Sequence, residues 1–173
     1  MITVLRIGHR PARDKRITTH ICLTARAFLA DKVLVDFKDS DLEATINGVT
    51  GRFGGSFSVK SGVNWRSFLK ETGSVKIHLT MYGMNLNACI EKIEEAYLKN
   101  PDMVIIVGAE KVPGEIYGLA DFNVSITNQP HSEVAALALF LDRLNHGSEL
   151  EKTFNGKMRI IPSPTGKVVE STE

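Results

Sequence analysis

Cysteine is scarce in this chain of 173 residues: Cys22 and Cys89 are the only two, each inside an apolar helical pattern. With no second ligand-type residue at metal spacing near either, a disulfide framework and a zinc site are both excluded, and two free thiols in a reducing compartment are expected. No apolar run approaches the roughly 20 residues that a membrane-spanning helix needs. The start, Met1-Ile2-Thr3-Val4-Leu5-Arg6, also lacks the layout of a secretory signal. Both absences point to a soluble, cytoplasmic protein without a membrane partner or a metal. An excess of one charge is missing too: 21 Lys and Arg against 20 Asp and Glu leave a net charge of +1, which by itself does not mark a nucleic-acid binder. No G-x-G-x-x-G is present, which argues against an ordinary dinucleotide fold. Gly51-Arg52-Phe53-Gly54-Gly55-Ser56-Phe57 carries no Lys-Ser/Thr and is not a P-loop.

What the chain has is an apolar fraction of 43%, enough at this length for one good core. A single α/β domain over residues 1–150 is expected, with a C-terminal extension over 151–173. The organising stretch runs from Met103 to His146. Met103-Val104-Ile105-Ile106-Val107 is unbroken and rich in β-branched residues, the pattern of a parallel strand buried on both faces, and Gly108 ends it. Ala109 to Pro113 is then a loop, broken by Pro113 and Gly114. Phe122 to Ile126 reads as another strand. It is followed by a helix capped by Asn128 or Gln129 with Pro130 in its first turn, whose Val134, Leu137, Leu141 and Leu144 repeat at helical spacing. Val75 to Thr80 makes a third strand with the exit loop Met81-Tyr82-Gly83-Met84. Parallel strands joined through helices place their exit loops on one sheet edge, where open α/β sheets bind ligands. A crevice lined there by peptide groups and by Leu79, Val112 and Leu137 suits a nucleotide-like ligand.

Charge is uneven along the chain even though it cancels overall. Arg6, Arg10, Arg13, Lys15, Arg16 and Arg26 fall within the first 30 residues with Asp14 as the only acid, a local positive field if exposed. A helix from about Lys15 to Ala30, capped by Asp14, would put Ile17, Ile21, Ala25 and Phe28 inward. Arg16 and His20 would stand one turn apart off that stripe, where they could hold a phosphate with Arg10 or Arg13. The alternative for His20 is a partly buried helix histidine bonded to a carbonyl or to Thr19. Arg52 belongs to an Arg-aromatic-glycine stretch that is either a flexible turn or a surface touching RNA. Elsewhere, Lys32 to Phe37 is strand-like, Ser40 to Glu43 a linker or short helix, and Ala44 to Val49 a possible strand. Val63 to Glu71 is a short helix with Trp65 and Phe68 in the core, and Asn85 to Lys99 is a helix stopped by Pro101. Lys157 to Ile161 and Lys167 to Val169 flank Pro-Ser-Pro-Thr-Gly as a β-hairpin, with Glu170 to Glu173 expected to be disordered. His131-Ser132-Glu133 does not make a triad, because successive helix residues point apart and no nucleophile elbow is present. Ser132 and Glu133 either satisfy first-turn N–H groups or touch a ligand.

Several of these motifs together resemble one family. Arg6-Ile7-Gly8-His9-Arg10-Pro11, Arg13-Asp14, Arg16 and Thr18-Thr19-His20 are similar to it, as are His78-Leu79-Thr80-Met81-Tyr82-Gly83, Gly108 to Pro113 and Asn128 to Leu137. That family is the archaeal tRNA cytidine-56 2′-O-methyltransferases of the SPOUT superfamily. The resemblance implies a knotted α/β fold with a mostly parallel sheet flanked by helices, and a deep C-terminal trefoil knot within about 75–146, a feature no spacing argument would propose. It implies S-adenosyl-L-methionine as cofactor, tRNA as partner and a homodimer with the substrate site shared across its interface. Residue by residue, it carries cofactor contact to Leu79, to Gly108, Ala109, Glu110, Lys111 and Val112, and to Ile126, Thr127, Asn128, Gln129, Pro130, His131, Ser132 and Glu133. Arg16 becomes the catalytic candidate by analogy with an arginine of related 2′-O-methyltransferases, with His20 or a water as proton acceptor, and Arg10, Arg13 and Arg52 become RNA contacts. Methylation of another RNA, such as ribosomal RNA, and a non-catalytic RNA-binding module are the competing readings.

Overall fold

The structure is a computed structural model that describes residues 1–109 and 111–171. Six strands form one wholly parallel sheet: β1 (Ile2–Ile7), β2 (Lys32–Val35), β3 (Ser58–Ser61), β4 (Val75–Asn85), β5 (Met103–Gly108) and β6 (Phe122–Ser125), in the order β3-β2-β1-β5-β4-β6. The connections are helical: α1 (Pro11–Ala27), α2 (Ser40–Phe53), α3 (Trp65–Glu71), α4 (Leu86–Lys99) and α5 (Glu115–Leu119). The helix α6 (Glu133–Asn145) follows β6. A 3-10 turn over Ser148–Glu151 leads to an antiparallel hairpin of β7 (Met158–Ile161) and β8 (Val168–Ser171).

The central strands are buried because their sequence leaves them no polar face. Met103 to Val107 are at most 1% exposed, and β5 pairs in parallel register with β1 on one side and β4 on the other. One core, under α1, α2, α4 and α6, gathers Ile21, Leu42, Ile46, Ile93, Leu137, Phe140 and Leu141. The other, under α3 and α5, gathers Leu5, Ile7, Leu34, Trp65, Leu69, Ile106 and Ile116.

Several boundaries differ from the sequence expectation, each for a local reason. The helix α1 starts four residues before Lys15. Pro11 opens it, and Asp14, instead of capping, reaches back from the first turn to the N–H of Arg10 at 3.0 Å. Ala44 to Val49 is helix, not strand: Asp39 Oδ1 accepts from the Leu42 N–H at 2.9 Å, and Leu42 and Ile46 bury one stripe. The final turn of that helix also absorbs Gly51, Arg52 and Phe53. The missing edge strand is Ser58–Ser61, with Val59 and Ser61 inward. The cap of α6 is Ser132, whose Oγ accepts from the Val134 N–H at 3.1 Å, so Asn128 to Pro130 lie in the loop before it. Glu170 pairs with Arg159 in the hairpin instead of being disordered, while Thr172 and Glu173 lie outside the described residues. Both cysteines are free, Cys22 buried with its thiol pushed up to about 12 by burial and Cys89 half-buried.

The strand β4 runs past Thr80 to Asn85, beyond its expected end. Leu79 and Met84 both pair with Val124, so residues 80–83 bulge out and return to the same neighbour. Gly83 sits directly on the β6 backbone: a Cβ there would stand 2.5 Å from the Val124 nitrogen and 2.6 Å from the Asn123 carbonyl. Backbone cannot yield as a flexible side chain does. Gly83→Ala is therefore expected to destabilise the fold by about 1–3 kcal/mol and to weaken ligand binding in the adjoining cleft, checked by thermal unfolding and titration. A variant matching wild type in both would contradict this packing.

Candidate functional site

The exit loops of β4, β5 and β6 converge on one cleft of about 220 Å³ at the carboxyl edge of the sheet. It is lined by His78, Leu79, Thr80, Met81 and Tyr82 from the first segment, and by Val107, Gly108, Ala109 and Val112 from the second. Val124, Ile126, His131, Glu133 and Ala136 complete it from β6, its loop and α6. Of the expected ligand contacts, Leu79, Gly108, Ala109, Val112, Ile126, His131 and Glu133 are in this lining. Lys111, Thr127, Asn128, Gln129, Pro130 and Ser132 are in the surrounding loops, and Glu110 lies outside the described residues. The sequence places Met81 and Tyr82 in an exit loop of the crevice but does not single out His78, Thr80, Val107, Val124 or Ala136. Strand alternation could have indicated two of them, since His78 and Thr80 share one face of β4.

Three fixtures hold these loops in place. Asn128 Nδ2 donates to the carbonyls of Met81 (2.8 Å) and Gly83 (3.3 Å), tying the β6 exit to the β4 bulge. The His131 Nδ1–H donates to the Gln129 carbonyl at 2.7 Å. Arg6, counted in the sequence toward a positive field conditional on exposure, is 0% exposed inside β1. Its guanidinium donates to the Gly108 carbonyl at 2.7 Å and to Glu133 Oε1 at 3.0 Å, joining the end of β5 to the first turn of α6. A buried charge is sustainable only when paired in this way. Glu133 thus serves Arg6, while Ser132 alone supplies the cap.

The β1 exit loop lies against this cleft, since the Ala109 N–H donates to the Ile7 carbonyl and Gly8 faces the Ala109 side chain. Asp36 accepts from the Gly8 and His9 N–H groups at 2.7 and 3.1 Å. Buried His9 meets Asp39 through Nε2 at 3.0 Å and Thr18 through Nδ1 at 2.9 Å. On this braced loop and the start of α1 stand Arg10, half-exposed, and Arg13, Arg16 and His20, exposed. Arg16 makes no hydrogen bond or ion pair among the described residues, and none of these four lines the cleft of its own chain.

Arg10 grips Asp14 with two guanidinium bonds of 2.8 and 3.0 Å, and that hydrogen bonding lowers the Asp14 carboxyl to about 2. Lys38 does the same to Glu43, also about 2. A carboxylate depressed in the folded state contributes stability in full above its unfolded pKa near 4 and loses it as pH falls through the folded value. The unfolding temperature should therefore drop between about pH 4 and pH 2, and Asp14→Asn should flatten that drop. An unchanged acid limb in Asp14→Asn would contradict the assignment.

Arg52 is placed elsewhere. The helix α2 returns from the carboxyl end of β2 toward the amino end of β3, so its last turn lies at the sheet edge opposite the cleft. There Arg52 Nε donates to the Gly48 carbonyl of its own helix at 3.2 Å. The glycines beside it let backbones meet: a Cβ on Gly54 would run into Asn155, and one on Gly156 into Phe53. Arg26 completes this seat for the C-terminal extension, donating to the Gly54 carbonyl at 2.6 Å with its guanidinium 4.8 Å from the Phe154 ring centre. No helix among the described residues is long and apolar enough to cross a membrane.

The fold is that of SPOUT RNA methyltransferases. An RNA 2′-O ribose methyltransferase matches with a TM-score of 0.58 at 19% identity, over 84% of this chain and 55% of that one. The SpoU methyltransferase AviRb from Streptomyces viridochromogenes, in complex with AdoMet, matches at 0.55 with 13% identity, over 84% and 59%. Sequence similarity is far higher to proteins named tRNA (cytidine(56)-2′-O)-methyltransferase. That from Picrophilus torridus is 54% identical over 98% of this chain, which spans only 49% of the relative's length. Those from Pyrococcus abyssi (54%) and Methanothrix thermoacetophila (52%) are spanned over 87% and 96% of their lengths. Residues 53–170 match the family described as tRNA ribose 2′-O-methyltransferase, aTrm56, and with the identity to these relatives that places the chain in the aTrm56 family of tRNA ribose 2′-O-methyltransferases.

Proposed function

We propose that the protein methylates the ribose 2′-oxygen of cytidine 56 in tRNA, using S-adenosyl-L-methionine held in the cleft. The observation that carries this reading is the convergence of three loop segments on one cleft of mixed apolar and polar lining beside a basic loop. When bound, S-adenosyl-L-methionine supplies an electrophilic methyl group on a sulfonium centre. Leu79, Val112 and Ile126 would give an adenine ring flat apolar cover, and the peptide groups of Gly108, Ala109 and Lys111 and of Thr127 to Ser132 would offer it hydrogen bonds. Arg6 keeps the Gly108 and Glu133 walls of that cradle at fixed separation. We assign the bulge at 80–83 and its clasp by Asn128 to a trefoil knot within 75–146, and residues 151–173 to an extension of the 1–150 domain.

Arg10, Arg13 and Arg16 hold the phosphates flanking the target ribose, while His20 or a water accepts the 2′-proton. Arginine stays protonated almost anywhere in a protein, so Arg16 acts by charge, steadying a neighbouring phosphate and raising the acidity of the hydroxyl. Placing that oxygen in line with the methyl group can contribute up to about 7–11 kcal/mol. Because these residues do not line the cleft of their own chain, a homodimer brings α1 of one copy to the cleft of the other.

The test is transfer of labelled methyl to an unmodified tRNA transcript, with the product nucleotide mapped. Label on the ribose of cytidine 56 is expected. Label confined to another RNA, or RNA binding with no transfer, would overturn the proposal.

A further inference from the structure

Beside the cleft lies a cluster that the proposed mechanism does not use. His78, on β4, is 1% exposed and yet contributes to the cleft lining. Its Nδ1 is 2.8 Å from Asn123 Oδ1, and Asn123 is oriented by its Nδ2, which donates to the Tyr117 carbonyl at 3.0 Å. An amide oxygen only accepts, so Nδ1 carries the ring proton and Nε2 presents a bare lone pair. Tyr117 stands edge-on to the imidazole with ring centres 4.9 Å apart, and its hydroxyl meets Thr80 Oγ1 at 3.1 Å. The ring is therefore fixed in tautomer by Asn123 on β6 and in tilt by Tyr117 on α5. Burial also lowers its affinity for a second proton. Nε2 has no partner among the described residues.

His78 belongs to the cleft wall, and an acceptor held there in one tautomer with no donor of the protein on it is open to a donor from a ligand. We propose that His78 Nε2 is a ligand-reading acceptor in the cleft, which takes a hydrogen bond from a donor of the bound nucleoside, either its exocyclic amine or a ribose hydroxyl. Asn123 is then the positioning residue that fixes the tautomer. This rests on the reading of the cleft as the S-adenosyl-L-methionine site.

Binding of S-adenosylhomocysteine, its inosine counterpart and its 2′- and 3′-deoxy counterparts is measured for wild type and for His78→Leu. In wild type, the analogue lacking the donor that meets Nε2 should bind about tenfold or more weaker. In His78→Leu that one penalty should shrink toward unity while the others persist. Loss at the inosine analogue identifies the amine, and loss at a deoxy analogue identifies a hydroxyl. Equal weakening of every ligand in His78→Leu, or no change in any ratio, would overturn the inference while leaving the cofactor reading intact; wild type that binds none of them would remove both. Should His78→Leu fail to fold, nitrogen NMR of histidine-labelled wild type decides. Nε2 should appear unprotonated and shift on saturation with S-adenosylhomocysteine, and a protonated or unmoved Nε2 contradicts the proposal.

Discussion

Replacing Arg16 by alanine is expected to lower methyl transfer by about 10²- to 10⁴-fold while leaving S-adenosyl-L-methionine affinity within about twofold of wild type. The side chain is exposed on α1, engaged with nothing among the described residues, and absent from the cleft lining. Its loss should neither destabilise the fold nor disturb the cofactor. Single-turnover transfer alongside cofactor titration separates the two effects. Lysine should restore part of the rate, because it keeps the charge but not the two-pronged grip on phosphate. Undiminished transfer in Arg16→Ala would remove Arg16 from the mechanism, and an equal loss of cofactor affinity would make it part of the cleft instead.

Arg6→Met should show the opposite pattern, a loss of stability that carries cofactor binding with it. The arginine side chain is 0% exposed and its partner Glu133 is 28% exposed, so solvent screens the carboxylate in part and the full penalty of a broken buried pair does not apply. Leaving the Gly108 carbonyl and Glu133 without their donor should cost about 3 kcal/mol, which at this chain length lowers Tm by roughly 6–12 °C. Adding Glu133→Gln should cost little more, since the two side chains act on one another. A Tm equal to wild type, or fully additive effects, would show that the pair does not fasten the cleft.

Legibility in the sequence followed how local the determining physics is. The strand Met103 to Gly108 was readable because five consecutive apolar residues have no polar face to offer solvent, and the crevice followed from three strands leaving on one edge. The helix α2 was misread at Ala44 to Val49 because Thr45, Ile46, Val49 and Thr50 are β-branched, while the deciding signals were the Asp39 cap and the 42/46 stripe. Pro130 drew the start of α6 at least three residues too early, although Ser132 was available as a cap. Arg6 counts with the basic residues of the first 30 positions because a charged residue is usually solvated. Its burial depends on Glu133, 127 residues away, a pairing that no window of sequence displays. The seat of Gly156 on Phe53 and Gly54 is equally non-local, and it packs the C-terminal extension on a glycine-rich stretch that the sequence leaves open between a flexible turn and a surface touching RNA.

The account depends most on what the cleft holds. A crystal structure of the protein soaked with S-adenosylhomocysteine should show its adenosine between the β4, β5 and β6 exit loops, against Leu79, Gly108 and Ile126. Density for it at another place on the chain, with that cleft unchanged, would contradict the account.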